Sequence, residues 1–214
     1  SAVPDTDGNG RGEFINIATV GSVNPDDTTS TIDVGAPIIE SSKTLIDQTN
    51  DGKVENNELF VYKINAKNTG NAPSYNTFIQ DTLIDVLPYI AADLTPESIV
   101  VTINGGSNHS EGATTTLDKL IAGFTVDIAE QEEIEISFTL KAMDELYETD
   151  IADHDNDGIK DFYNKAIVDK TNPENTTPIG FTLISVDKVV NDGDADGIVT
   201  PNEVFTYTIE VENS

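Results

Sequence analysis

The chain has 214 residues, with 39 acidic against 11 basic side chains and a formal charge of −28 at pH 7. Nucleic acid and anionic membrane surfaces both need basic patches, so neither is an expected partner. There is no cysteine, which excludes disulfides and thiol chemistry. No apolar run approaches the ~18 residues of a membrane span, and no basic, apolar leader opens the chain. Any export signal is expected outside this fragment.

Residues 5–16 begin Asp5-Thr-Asp7-Gly-Asn9-Gly10, with oxygen-bearing side chains at positions 1, 3 and 5 and glycine at 6. The signature returns in Asp47-Gln-Thr49-Asn-Asp51-Gly52, Asp153-His-Asp155-Asn-Asp157-Gly158 and Asp192-Gly-Asp194-Ala-Asp196-Gly197. Side chains at alternate positions of a tight loop converge on one point. A hard cation such as calcium takes about six to eight oxygens, and the glycine supplies the sharp turn. Position 7 (Arg11, Lys53, Ile159, Ile198) would add a backbone carbonyl. In 47–58 and 192–203, Glu58 and Glu203 stand at position 12, where a glutamate can close the shell with two oxygens. The other two loops carry the acid at position 9 (Glu13, Asp161) and asparagine at 12. A single such loop can be an ordinary Asp/Asn/Gly turn. The recurrence of four points to Ca2+.

The chain also repeats on a larger scale. Residues 5–29 match 153–177 at eleven of 25 positions, and 43–69 match 188–214 at eleven of 27. Lys43 recurs as Lys188, Tyr62 as Tyr207 and Asn16 as Asn164. The period is domain-sized, unlike that of a solenoid. Residues 1–29 read as the last strand and linker of one repeat, 30–172 as a complete repeat, 173–180 as a linker and 181–214 as the start of the next. Asn24-Pro25 and Asn172-Pro173, each followed by short polar residues, mark the linkers, since such residues stop ladders and favour turns.

Within the complete repeat, strands are expected near 36–46, 58–68, 74–81, 98–104, 120–128, 132–142 and 161–170. Phe60, Tyr62, Ile64 and Ala66 alternate on one face, as do Ile134, Ile136, Phe138 and Leu140. Short helical turns are expected in 85–94 and 144–149. Seven strands separated by turns imply an all-β, immunoglobulin-like sandwich. In a seven-stranded sandwich, loop 47–57 falls at the C-terminal end of the domain and loop 153–161 at the N-terminal end. Flanking strands make the EF-hand-type loops poor candidates for a helix-opening switch.

The residues that carry a family resemblance are Lys43, Glu58-Leu-Phe-Val-Tyr62, Asn68-Thr-Gly-Asn71, Asp81-Thr-Leu83, Ile128-Ala-Glu-Gln-Glu-Glu-Ile-Glu-Ile136 and Asn164-Lys-Ala166. In these the middle repeat resembles the bacterial conserved-repeat domain, the immunoglobulin-like unit of very large cell-surface and secreted proteins. The family often carries glycine where Gln131 stands, and the acidic loops are additions to its pattern. Loops 5–16 and 153–164 are similar to the acidic repeats of thrombospondin-like proteins. The resemblance implies an extracellular, bacterial cell-surface stalk or adhesin, with neighbouring repeats as partners and no enzymatic activity.

Three further constellations bear on function. Lys43 in the first strand, Asp81 in mid-domain and Asn164 in the last strand are the set an isopeptide crosslink needs, since a desolvated lysine becomes neutral and nucleophilic. Alternatively, Lys43 is exposed, Asp81 caps a turn and Asn164 serves the calcium loop. An enzyme is disfavoured. The two histidines, His109 and His154, fall in loops, and no set of catalytic roles can be assembled around them. A calcium-dependent adhesive module contacting a surface glycan or protein remains the alternative, through 105–115 or Tyr75, Tyr89 and Tyr147, if these are not core residues.

Overall fold

The computed structural model describes residues 5, 8, 12–17, 29–107, 109, 112–147, 150–181, 184–192, 197–198, 201–202 and 204–213. In chain order the strands are β1 (Glu13–Ile17), β2 (Thr29–Asp33), β3 (Ile39–Asp47), β4 (Leu59–Asn68), β5 (Ser74–Asp81), β6 (Val100–Asn104) and β7 (Ala113–Thr116). They continue with β8 (Phe124–Ile128), β9 (Glu133–Lys141), β10 (Asp161–Val168), β11 (Glu174–Pro178), β12 (Ile184–Asn191) and β13 (Thr206–Asn213). A 3-10 turn spans Leu87–Tyr89 and helix α1 spans Leu117–Ala122.

The protein is all-β. Its central unit pairs a five-stranded sheet, β3-β4-β9-β6-β7, with a four-stranded sheet, β11-β10-β5-β8. Every named strand pairing is antiparallel. The two alternating stripes expected from sequence are the core of the larger sheet: Phe60, Tyr62, Ile64, Ala66, Ile134, Ile136, Phe138 and Leu140 are all buried. They share one cluster with Ile79, Val126, Ile128, Phe162, Ala166 and Val168 of the smaller sheet.

The central unit has nine strands where seven were expected. Strand β7 is Ala-Thr-Thr-Thr with no fully buried residue, so it carries no hydrophobic alternation to read. Strand β11 lies in the segment expected to be linker, and Pro173 and Pro178 disguise it. A proline is tolerated on an edge strand or at a strand end, and β11 is the edge of its sheet. Helix α1 takes the start of the strand expected from 120. Leu117 and Leu120, spaced i and i+3, are its buried residues, and Gly123 at φ 89° closes it with bonds from its N–H to Lys119 and Leu120. The turn expected in 85–94 is present. Residues 144–147 are not helical.

β11 decides where the chain leaves. It runs back along β10, with Asp161 opposite Pro178, so the exit lies beside the start of β10. Val54 of loop 47–58 forms a parallel bridge with Ile179. The Val54 and Gly180 amides donate to Pro178 and Val54 carbonyls, at 2.9 Å each. β10 runs antiparallel to β5, and β7 adds one reversal to the seven expected strands, so both acidic loops of the unit sit at the outgoing end, which corrects the expectation that 153–161 lies at the N-terminal end. Without β11 the chain would leave from Val168, at the other end of β10. The incoming end is marked by Ile39 opposite Asn68.

The flanking hairpins repeat the central register. Glu13 pairs with Asp33 as Asp161 does with Pro178, and Lys188 pairs with Ile209 as Lys43 does with Ile64. The face that Tyr62 and Ile64 bury is open at Tyr207 and Ile209.

Candidate metal centre and a buried Lys–Asp–Asn cluster

The described parts of the loops share backbone features. Position 4 is left-handed at Gly8 (φ 78°), Asn50 (φ 58°) and Asn156 (φ 62°), and position 6 at Gly52 (φ 85°), Gly158 (φ 91°) and Gly197 (φ 82°). This curl turns the position-6 amide toward the first aspartate. The Gly52, Gly158 and Gly197 N–H groups donate to Oδ2 of Asp47, Asp153 and Asp192 at 3.1, 3.1 and 2.6 Å. Asp51 and Asp157 each accept from the amide two residues on, at Lys53 and Ile159. In the first loop, Gly8 N–H donates to Asp5 Oδ1 at 2.7 Å.

Loop 153–161 gathers its acids. Asp153, Asp155 and Asp161 each present an oxygen, and these lie within 4.8 Å of one another. Among the described residues this is the one cluster of that kind. Asp161 is buried, and Asp153 Oδ1 is buried with no hydrogen-bond partner. Three carboxylates this close repel one another unless a cation or protons intervene. An all-oxygen donor set suits a hard cation, so the residues fit Ca2+ better than a softer transition metal. Asp161 also accepts from the His154 amide at 2.9 Å and lies 3.1 Å from His154 Nδ1. The His154 ring stacks on Tyr163 at 5.1 Å. His154 thus positions Asp161, a role its outward loop place in the sequence did not suggest.

Loop 47–58 is arranged differently. Asp47 and Glu58 are buried. Asp47 Oδ1 accepts from the Asp51 amide at 3.0 Å and from Thr49 Oγ1 at 3.2 Å. Glu58 reaches across the loop, accepting from the Thr49 and Glu55 amides at 2.8 Å each. Burial disfavours the Asp47 charge, yet the amides of Asp51 and Gly52 and the Thr49 hydroxyl outweigh it and hold the carboxyl below its usual pKa. The ligand pattern is intact in order, but its acids are held by the loop's own amides rather than drawn together. Asp7, Asn9, Arg11, Asp194, Asp196 and Glu203 lie outside the described residues. Glu13 starts β1, Asp192 is buried and Ile198 is exposed.

A second polar site lies inside the sandwich. Alternation along β3 turns Lys43 inward in phase with Leu45 and Asp47. Asp81 ends β5 and Asn164 lies on β10, both facing the core of the opposite sheet. The Lys43 and Asp81 side chains are fully buried and ion-paired through Asp81 Oδ2. Asn164 Nδ2 donates to the same oxygen at 3.3 Å. Asp81 Oδ1, Asn164 Oδ1 and the Tyr62 hydroxyl have no partner. Lys43 Nζ lies 5.0 Å from the centre of the Tyr62 ring. Desolvation lowers the Lys43 pKa and raises that of Asp81, each partly opposed by the other's charge. Burial, with the Asp81 charge second, pushes Tyr62 well up. The exposed reading of Lys43 is therefore wrong, because β3 is a sandwich strand whose inner face includes it.

The asparagine motif is structural. Asn68 is fully buried. Its Oδ1 accepts from the Ile38 and Gly70 amides at 3.1 Å each, and its Nδ2 donates to the carbonyls of Ala72, Ile128 and Ala129. Asn71 Oδ1 accepts from the Ala36 amide at 2.8 Å. Gln131 stands at φ 61°, a left-handed position that glycine fills without strain. Its side-chain amide donates to the carbonyls of Thr69 and Gly70.

Of the three tyrosines considered for ligand contact, Tyr75 and Tyr147 are exposed. Tyr89 is half-buried and stacked on Phe162 at 5.9 Å. Tyr147 lines an open cleft of about 680 Å³ with Ala91, Asp93, Met143 and Glu145. The described helices include none long and apolar enough to cross a membrane. No family model matches the chain, and no curated protein matches it.

Proposed function

We propose that the chain is a calcium-binding structural repeat of a large bacterial cell-surface protein, an extender whose partners are its neighbouring repeats and whose acidic loops bind Ca2+ at the junctions. The observation that carries this reading is the gathered set Asp153, Asp155 and Asp161 with its orphaned buried oxygen, placed at the outgoing end. There it lies next to loop 47–58, which hydrogen-bonds to the departing segment. Calcium at that end would order the loops and relieve part of the local carboxylate repulsion. Metal binding to the folded chain alone is linked to folding.

The test is a thermal melt in millimolar calcium against chelator. The expected result is a clear rise in melting temperature with calcium, diminished by Asp153→Asn. Identical melts in the two conditions would overturn the proposal. The cleft beside Tyr147 favours a second reading, an adhesive module that itself contacts a glycan or protein. Calcium-dependent glycan-array binding by this chain would support it.

A further inference from the structure

The cluster of Lys43, Asp81 and Asn164 shares no residue with the gathered acids Asp153, Asp155 and Asp161, and it is an expensive feature for a core. A buried ion pair loses hydration that its mutual attraction only partly restores. Here the pair is also incompletely satisfied, since Asp81 Oδ1 and Asn164 Oδ1 are both buried without partners. The internal repeats retain its components. Between aligned segments identical at fewer than half their positions, Lys43 recurs as Lys188 and Asn164 as Asn16. Lys188 Nζ again lies over a tyrosine ring, 4.3 Å from the centre of Tyr207, as Lys43 does over Tyr62. Burial moves both members of the ion pair toward their neutral forms, and a neutral lysine is a nucleophile.

We propose that Lys43 and Asn164 form an intramolecular isopeptide bond, with Asp81 as the catalytic acid–base, joining the first strand of one sheet to a strand of the other. Both reacting groups contact Asp81 Oδ2, which sets the amine beside the carboxamide. Proton transfer from the Lys43 ammonium to Asp81 gives an amine and a carboxylic acid. The amine lone pair attacks Asn164 Cγ, and the Nζ–Cγ bond forms as the Cγ–Nδ2 bond breaks. Asp81 takes a proton from Nζ and delivers one to Nδ2, which leaves as ammonia. Asp81 ends protonated, as it was at the moment of attack, and no oxidant or other reactant is consumed. Asn164 is buried, which keeps water from Cγ, so aminolysis prevails over hydrolysis to aspartate.

The bond would also alter how the repeat carries tension. The chain comes in along β3 and leaves past β10 and β11. An end-to-end pull would therefore pass through the Lys43–Asn164 link and spare the strands between. This consequence rests on the extender reading, but the bond itself does not.

The experiment is the intact mass of the denatured 214-residue chain, followed by peptide mapping. The expected result is a mass one ammonia below the sequence value, with a branched peptide joining Lys43 to Asn164. Lys43→Arg and Asp81→Asn should restore the full mass. Full mass with unlinked peptides in the unsubstituted chain would overturn the proposal, whether or not the variants fold. Loss of ammonia that survives Lys43→Arg would also overturn it, because it would place the loss in a succinimide at an Asn-Gly step such as Asn104-Gly105. Neither result depends on calcium.

Discussion

At the scale of single residues, the turns of the acidic loops were legible because turn chemistry is local. What sequence could not supply was the reason for each glycine. A Cβ built at Gly52, Gly158 or Gly197 would meet nothing within 4 Å, so space does not select glycine there. The left-handed backbone does. Gly158→Ala is therefore expected to cost roughly 1–2 kcal/mol through backbone strain alone. Gly158→Asn should cost less, since asparagine adopts this conformation more readily and already does so at Asn156. Urea unfolding of the two variants measures the difference. Equal costs would mean that strain is not what fixes the glycine. The burial of Lys43 was harder to read. Along β3 the phase Ile39-Ser41-Lys43-Leu45-Asp47 holds two apolar residues but also two ionisable ones, and Glu40-Ser42-Thr44-Ile46 holds one of each, so alternation alone gives no reason to bury a lysine. Only packing against the second sheet selects the phase that buries the lysine.

At the scale of elements, long strands with apolar alternation were found in place, and the two strands without it were not. Both matter: β7 adds the reversal that starts β10, and so loop 153–161, at the outgoing end, and β11 brings the departing chain back to that end. The end of β11 is held by the hydrogen bonds around Val54 and by the Ile179 amide, which donates to the Lys160 carbonyl at 2.9 Å. The same contact occurs one repeat earlier, from the Val34 amide to the Gly12 carbonyl at 2.7 Å. Val54 and Ile179 are both buried, so an apolar side chain of the acidic loop secures the exit. Val54→Ala is expected to destabilise the unit by roughly 1–3 kcal/mol, within the range for core truncations. Its specific mark would be faster hydrogen exchange at the Val54 and Gly180 amides than at those of β9. Uniform acceleration across both sheets would indicate a loss of global stability without a local role for this contact.

At the scale of the whole molecule, the junctions decide whether successive repeats behave as a rod or as beads on a string. Residues 34–38 separate β2 from β3, a length at which a free polar linker would bend easily. Their backbone is instead bonded from both sides. Val34 donates to Gly12 of the preceding unit, while Ala36 and Ile38 donate to Asn71 and Asn68 of the following one. Gly70 lets the two segments approach, since a Cβ there would lie 2.3 Å from the Ala36 carbonyl oxygen. On the extender reading, stiffness would have two separable sources: the asparagine clamp at the incoming end, which needs no metal, and the acidic loops at the outgoing end. With a formal charge of −28, removing bound calcium would increase repulsion among the loops and loosen only the second source. Small-angle scattering should show a well-defined maximum dimension in calcium and a broader, less extended distribution in chelator. Asn71→Ala should reproduce part of that broadening even with calcium present. A maximum dimension unchanged by chelator would sink the role assigned to the metal. An unchanged Asn71→Ala profile would locate the stiffness elsewhere than in the clamp.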